Sequence, residues 1–124
     1  MARVLIANSH ESVRSSLHLV LEIDNNITIV GEAETTDIAF QLCAELRPDI
    51  VLIDLYQGEH DGAEVAAELL QQYPHIQVIL MYTPLTEQDE ERARASKASA
   101  LVRKEEGFDS LVQTIHELCP PSPT

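Results

Sequence analysis

Several scarcities narrow what this chain can be. Positive charge is short: 8 Lys and Arg against 21 Asp and Glu leave a formal net charge of −13 over 124 residues. A surface this acidic repels phosphate backbones and anionic headgroups, which argues against direct binding to nucleic acid or a membrane surface. No apolar run approaches the roughly 20 residues needed to cross a bilayer. The apolar run that opens the chain after Arg3 is too short for a signal peptide, and no small-residue cleavage site follows it. Glycine is rare, four in all, and no glycine-rich loop follows that first apolar run. The two cysteines, Cys43 and Cys119, are far apart, have no CxxC spacing and no nearby His, and read as reduced thiols of a cytoplasmic protein.

What is present is regular. The hydrophobic fraction is 44%, typical of a globular chain. Short apolar runs alternate with amphipathic ones from end to end. The apolar runs at 4–7, 27–30, 49–55, 77–82 and 100–104 read as strands. Helical spacing appears at 11–23 (Val13, Leu17, Val20, Ile23), at 35–46 (Ile38, Leu42, Leu46), and at 62–70, 86–95 and 108–118. Asp61 is the natural N-cap of the third helix. Arg47-Pro48 ends the second, because a residue before proline avoids right-handed helical angles. Five strands alternating with helices require crossover connections and a parallel sheet covered on both faces. The expected fold is α/β: a flavodoxin-like doubly wound five-stranded sheet, order 2-1-3-4-5, in a three-layer sandwich. Residues 1–118 form one domain, and 119–124, CysProProSerProThr, read as a tail or the start of a linker.

In such a sheet, ligands bind at the carboxyl ends of the strands. The first strand ends in Asn8-Ser9-His10, the third at Asp54, the fourth at Thr83 and the fifth at Lys104. Taken singly, Asp54 could be a loop cap, Thr83 before Pro84 a turn residue, and Lys104 a solvated partner of Glu105 or Glu106. Together they are a carboxylate, a hydroxyl and an ammonium on one edge, a grouping that suits a phosphoryl group. A carboxylate can attack phosphorus, and lysine is a compact charge for phosphate oxygens. No Ser-His-Asp or Cys-His constellation is visible, and His18, His60, His75 and His116 read as surface residues.

Three segments carry a resemblance that covers essentially the whole chain. PDIVLIDLYQGEHDGAEVAAEL (48–69) resembles the phosphoacceptor strand of response-regulator receiver domains, with its following Asp-Gly pair. VILMYT (78–83) and ALVRKEE (100–106) are similar to the strands that end in that family's switch hydroxyl and its lysine. Met1, Arg3, Val4, Leu5, His10, Glu11, Val13 and Arg14, together with Glu105 after Lys104, are most like the subfamily with a helix-turn-helix output domain. The resemblance implies a non-enzymatic, cytoplasmic signalling domain of a two-component phosphorelay. Asp54 would accept a phosphoryl group from a histidine kinase or phosphotransfer protein, Thr83 would contact it, and Lys104 would ion-pair with it. An output domain in a longer chain and a weak homodimer through the first and last helices (Leu17, Leu19, Val20; Val112, Ile115, Leu118) are further implied partners.

Departures from the family pattern bear on the chemistry. The family's acidic pair at the end of the first strand, which helps bind Mg²⁺, is replaced by Asn8 and Ser9. The ligands left for Mg²⁺ are Asp54, the Tyr56 backbone, Asn8 and Ser9, a weak or absent site for a cation that favours carboxylates. Glu11 and Glu59 are its neighbours in sequence. Leu101 stands where an aromatic is usual, Pro84 follows the switch hydroxyl, and Lys97 falls where a glycine commonly ends the fourth helix; all three imply a modified switch. Two readings stay open: a receiver phosphorylated on Asp54, and a pseudo-receiver that acts through protein contacts. A small-molecule enzyme or carrier on the same sheet has no glycine-rich loop to support it.

Overall fold

The computed structural model describes residues 1–57 and 60–121. In chain order it contains β1 (Ala2–Ala7), α1 (Glu11–Leu21), β2 (Ile27–Ala33), α2 (Thr36–Leu46) and β3 (Ile50–Asp54). A two-residue antiparallel pair follows, β4 (Tyr56–Gln57) and β5 (His60–Asp61), then α3 (Gly62–Gln72), β6 (Gln77–Tyr82), α4 (Glu87–Ala95) and β7 (Ala100–Arg103). A short 3₁₀ turn (Lys104–Glu106) leads into α5 (Gly107–Leu118). The five long strands are parallel, in the order β2-β1-β3-β6-β7, which is the order expected. Among the described residues, no helix is long and apolar enough to cross a membrane.

The period of two along each strand divides the core into two layers. Val4, Ile6, Ile50, Leu52, Ile79 and Val102 face α1 and α5, where Leu17, Leu21, Leu111 and Ile115 close over them. Leu5, Ala7, Val51, Ile53, Val78 and Leu80 face the opposite way, against Ala39 and Cys43 of α2, Val65, Ala66 and Leu69 of α3, and Ala93 of α4. Each fully buried Leu or Ile stabilises the fold by roughly 1.5–3 kcal/mol, so both faces of the central strand β3 are committed to packing. Burial pushes the Cys43 thiol up to about 11, and both cysteines are free.

Local chemistry sets the ends of the helices. Thr35, Asp61 and Thr86 cap α2, α3 and α4 through side-chain oxygens that accept from the N–H groups of Ile38, Ala63 and Asp89. Arg47 takes a left-handed conformation (φ 48°) before Pro48 and stops α2. Four expectations need correction. First, α1 ends at Leu21, so Ile23 lies past the helix and is 76% exposed. Second, β2 runs on through Gly31 to Ala33, with a register irregularity that skips Val30. Third, the buried stripe of α2 is Thr36, Ala39 and Cys43, while Ile38 faces outward; small residues let the helix approach the sheet closely. Fourth, the end of α4, where Lys97 stands in place of a glycine, does not call for one: Ser96, the C-cap, is extended, and Arg47 is the only described non-glycine with positive φ.

The glycine of the Asp-Gly pair has a steric reason. The Gly62 N–H donates to the Leu55 carbonyl at 2.6 Å, and a Cβ on Gly62 would lie 1.8 Å from the carbonyl oxygen of Asp54. The first turn of α3 is thus seated directly on the end of β3. Gly62→Ala is expected to lower unfolding stability by about 3 kcal/mol, because backbone rather than a flexible side chain must yield. Urea denaturation checks this, and an unchanged midpoint would show that α3 can retreat from β3 at no cost.

Candidate functional site

Asp54 is the last residue of β3, and the packing of both strand faces carries its side chain into a nearly enclosed position, 8% exposed. Two neighbours compensate its charge. The Lys104 Nζ, delivered by the 3₁₀ turn directly after β7, lies 2.7 Å from Oδ1. That contact is close in distance but off the axis of a hydrogen bond, so it is held mainly by charge. The Asn8 Nδ2, at the end of β1, donates to Oδ2.

The orientation of the Asn8 amide follows from its second contact. The His10 backbone N–H donates to Asn8 Oδ1 at 2.8 Å, in a local turn typical of Asn. A flipped amide would set NH₂ against that N–H and oxygen against the carboxylate, two repulsive contacts in place of two hydrogen bonds. The Asn8 carbonyl is held in turn by Arg14 Nη1 at 2.8 Å. The Ser9 hydroxyl faces the His10 ring, at 3.4 Å from Nδ1, rather than Asp54.

These donors do not make a good Mg²⁺ site. Magnesium requires oxygen ligands in a tight octahedron. Asn8 turns N–H toward the carboxylate, its oxygen is already in use, Ser9 points elsewhere, and Asp54 has an ammonium on its other oxygen. Glu11, the first residue of α1, is exposed, and Glu59 lies outside the described residues. Tyr56, whose backbone was an expected ligand, is paired with Asp61 in the small β4–β5 ribbon, and its side chain turns away toward α4.

Of the residues expected at this edge, the structure brings Asn8, Asp54 and Lys104 into contact. Thr83 follows the last residue of β6 and shares the edge, but it is exposed and makes no side-chain hydrogen bond among the described residues. Leu101 is 37% exposed on β7. The residue before the switch position is the one engaged: the hydroxyl of buried Tyr82 donates to Glu90 Oε1 at 3.3 Å, and Arg103 meets the same oxygen at 2.9 Å. Burial works against ionisation of Glu90, but Arg103, the Tyr82 hydroxyl and Arg94 outweigh it and hold the carboxyl below its ordinary range. None of the sequence patterns flagged this cluster.

A second unanticipated cluster ties α4 to the loop after Asp54. The Tyr56 hydroxyl donates to Asp89, which is buried near the start of α4. Arg92 lies 2.7 Å from the Asp61 carboxylate and stacks over the Tyr56 ring, 5.2 Å from its centre. The Tyr56 hydroxyl, against the opposing effect of burial and with help from the Leu85 N–H and Arg92, holds the Asp89 carboxyl below its usual range.

Comparison with known proteins shows which family the chain belongs to. The family model "Response regulator receiver domain" matches residues 4–116. The chain belongs to that family. The receiver is 40% identical over 80 residues to the transcriptional regulatory protein YdfI of Bacillus subtilis, covering 64% of this chain and 38% of that protein. It is 26% identical to the response regulator protein VraR of Staphylococcus saprophyticus, covering 93% of this chain and 55% of VraR. The chain thus spans about half the length of such curated relatives, or less. Among solved structures, a DNA-binding response regulator of the LuxR family from Staphylococcus aureus superposes with a TM-score of 0.85 at 24% identity, covering 95% of this chain and 98% of that one. A LuxR-family two-component response regulator from Aurantimonas sp. SI85-9A1 gives 0.85 at 25% identity, covering 95% and 84%. The protein is therefore a response-regulator receiver domain of two-component signalling with the flavodoxin-like fold.

The Tyr56–Asp89 contact carries a pH dependence. A carboxyl whose folded pKa is depressed contributes stability that is present above its unfolded pKa and is lost as pH falls through the folded value. Comparing wild type with Tyr56→Phe, the stability difference should be largest near about pH 6 and shrink as pH drops to about 3. Chemical denaturation at several pH values tests this, and a difference that stays constant or grows toward acid would rule out the ionised Asp89 as the acceptor.

Proposed function

We propose that this receiver works chiefly through protein contacts, and that phosphoryl transfer to Asp54 is slow because Mg²⁺ binds weakly beside it. The observation that carries the reading is the Asn8 amide, oriented by His10 so that N–H and not oxygen meets Asp54. Phosphoryl transfer depends on positioning and charge neutralisation, and here the single Lys104 ammonium must offset both Asp54 and the incoming phosphoryl oxygens. The domain is a signalling module rather than an enzyme. Its setting is the cytoplasm, and its upstream partner is a histidine kinase or phosphotransfer protein. A relative of which this chain covers 38% is named as a transcriptional regulatory protein, and a fold neighbour of about this chain's length as a DNA-binding response regulator of the LuxR family, so we assign any DNA contact to an output domain in a longer chain. A domain at −13 is itself a poor ligand for DNA.

A second reading keeps Asp54 as an efficient phosphoacceptor, with Lys104 and Thr83 as its charge and hydroxyl partners. The 2.7 Å Lys104–Asp54 contact favours it, since the cation is already in position. One set of titrations separates the two. Calorimetry with Mg²⁺ should show wild-type binding about tenfold or more weaker than that of Asn8→Asp/Ser9→Asp, which returns two carboxylates to the edge. Beryllofluoride with Mg²⁺ should then stabilise the double variant and leave the wild type and Asp54→Ala unchanged. Equal, tight Mg²⁺ affinity in wild type and double variant, or beryllofluoride stabilisation of the wild type that Asp54→Ala abolishes, would establish the second reading.

The reading of a weak homodimer through the first and last helices is supported at α1, where Leu19 is 73% exposed and Ile23, just past the helix, 76%. Two chains at −13 repel, so the expected homodimer is weak and strengthened by salt. Sedimentation at low and high ionic strength checks it, and a strict monomer in both would remove this surface as a self-contact.

A further inference from the structure

A cleft of about 330 Å³ opens between α1 and α5, on the layer of the core away from α2, α3 and α4. This is at the small end of the range for small-molecule sites, about 300–1,000 Å³. Its walls are apolar: Val13 and Leu17 from α1, Met81 and Val102 from the sheet, Phe108 and Leu111 from α5. Its polar groups lie elsewhere on the lining. The Ser12 and Ser16 hydroxyls come from α1, and Lys104 joins the cleft to the Asp54 edge. Phe108 stays 43% exposed although it borders a concave apolar surface that could cover it, so the cleft is not closed by its own side chains.

We propose that this cleft binds a small amphipathic monoanion: an acyl or aryl body in the apolar cleft with one carboxylate on Lys104. The Lys104 ammonium has three donors. Asp54 is its one anionic contact among the described residues, and that contact is not an aligned hydrogen bond, so donors remain for a second acceptor. A single charge is the match. One ammonium stands at the cleft beside Arg103, which is already engaged by Glu90 and Glu105, and a dianion would meet Asp54 and the field of a chain at −13. A bound carboxylate would share the single Lys104 charge with Asp54 and repel it, so occupancy of the cleft and the state of the Asp54 edge are coupled, and by linkage the coupling acts in both directions. The proposal goes beyond the reading of Asp54 phosphorylation, and its test involves no Mg²⁺ and no phosphoryl donor.

The probe is decanoate, with decanol as the neutral control, titrated into the whole chain while methyl NMR signals are followed. Saturable shifts are expected at Val13, Leu17, Val102 and Leu111. Ser16→Trp, which fills the cleft from an exposed rim position, should weaken decanoate about tenfold or more. Ser12→Trp fills it from the next turn and replaces Ser16→Trp if the spectrum of that variant shows lost dispersion. Lys104→Met should weaken decanoate and leave decanol unchanged. Shifts confined to other surfaces, or tryptophan variants that are folded and bind decanoate like wild type, would overturn the site. Equal affinity for decanoate and decanol would overturn the assignment of an anion.

Discussion

A carboxylate enclosed at the end of a central strand must be compensated, and the functional edge of this receiver is arranged around that need. Asp54 sits where it does because both faces of β3 are buried, so its direction is set by the packing and not by its own chemistry. Isolated burial of a charge is costly enough that such a group ordinarily shifts its protonation or finds partners. Here the partners are one cation from the end of β7 and one amide from the end of β1. Three strands that are distant in sequence are therefore tied at their ends by a single charge. The same amide that relieves Asp54 also faces it with hydrogen rather than oxygen.

The surrounding polar clusters show how α4 is attached. Six of the nine residues of this helix are charged and it buries only Asp89 and Ala93, so it has little apolar surface with which to hold on. Its attachment is polar instead. Asp89 and Arg92 grip Tyr56 and Asp61 on one side, and Glu90 joins Tyr82 and Arg103 on the other. Elements held by exposed ion pairs and few apolar contacts open more easily than those held by a core. The two clusters thus join α4 to the loop after Asp54 and to the strand before Lys104.

Much of this was readable from the sequence, for identifiable reasons. The five strands and their order followed from apolar runs bounded by helical periods, a signal that long-range packing rarely overrides in a parallel sheet. Asp54 and Lys104 were legible because strand ends in such sheets converge. On α2 only Ile38 is misplaced by helical spacing: Leu42 packs against the core beside the buried Thr36, Ala39 and Cys43, and Leu46 lies half-buried over Gly31, whereas Ile38 faces outward. In the sequence Asn8 reads as a weak oxygen ligand in place of an acidic one. Its role as a donor depends on the turn to His10, which an Asn three residues ahead of a helix start could have signalled. The Tyr56–Asp89 and Tyr82–Glu90 contacts span loops and helices with no periodic pattern, and nothing local in the sequence announces them.

The seat of α3 on β3 has a mechanical meaning. Helices usually rest on a sheet through layers of side chains that can turn or compress, and such layers absorb small movements. At Gly62 there is no such layer, because backbone meets the backbone of Asp54 with no room for a single carbon. The joint has almost no slack. A shift of a few tenths of an ångström at the end of β3 would be passed on whole to the first turn of α3, making that helix the stiffest lever attached to the edge.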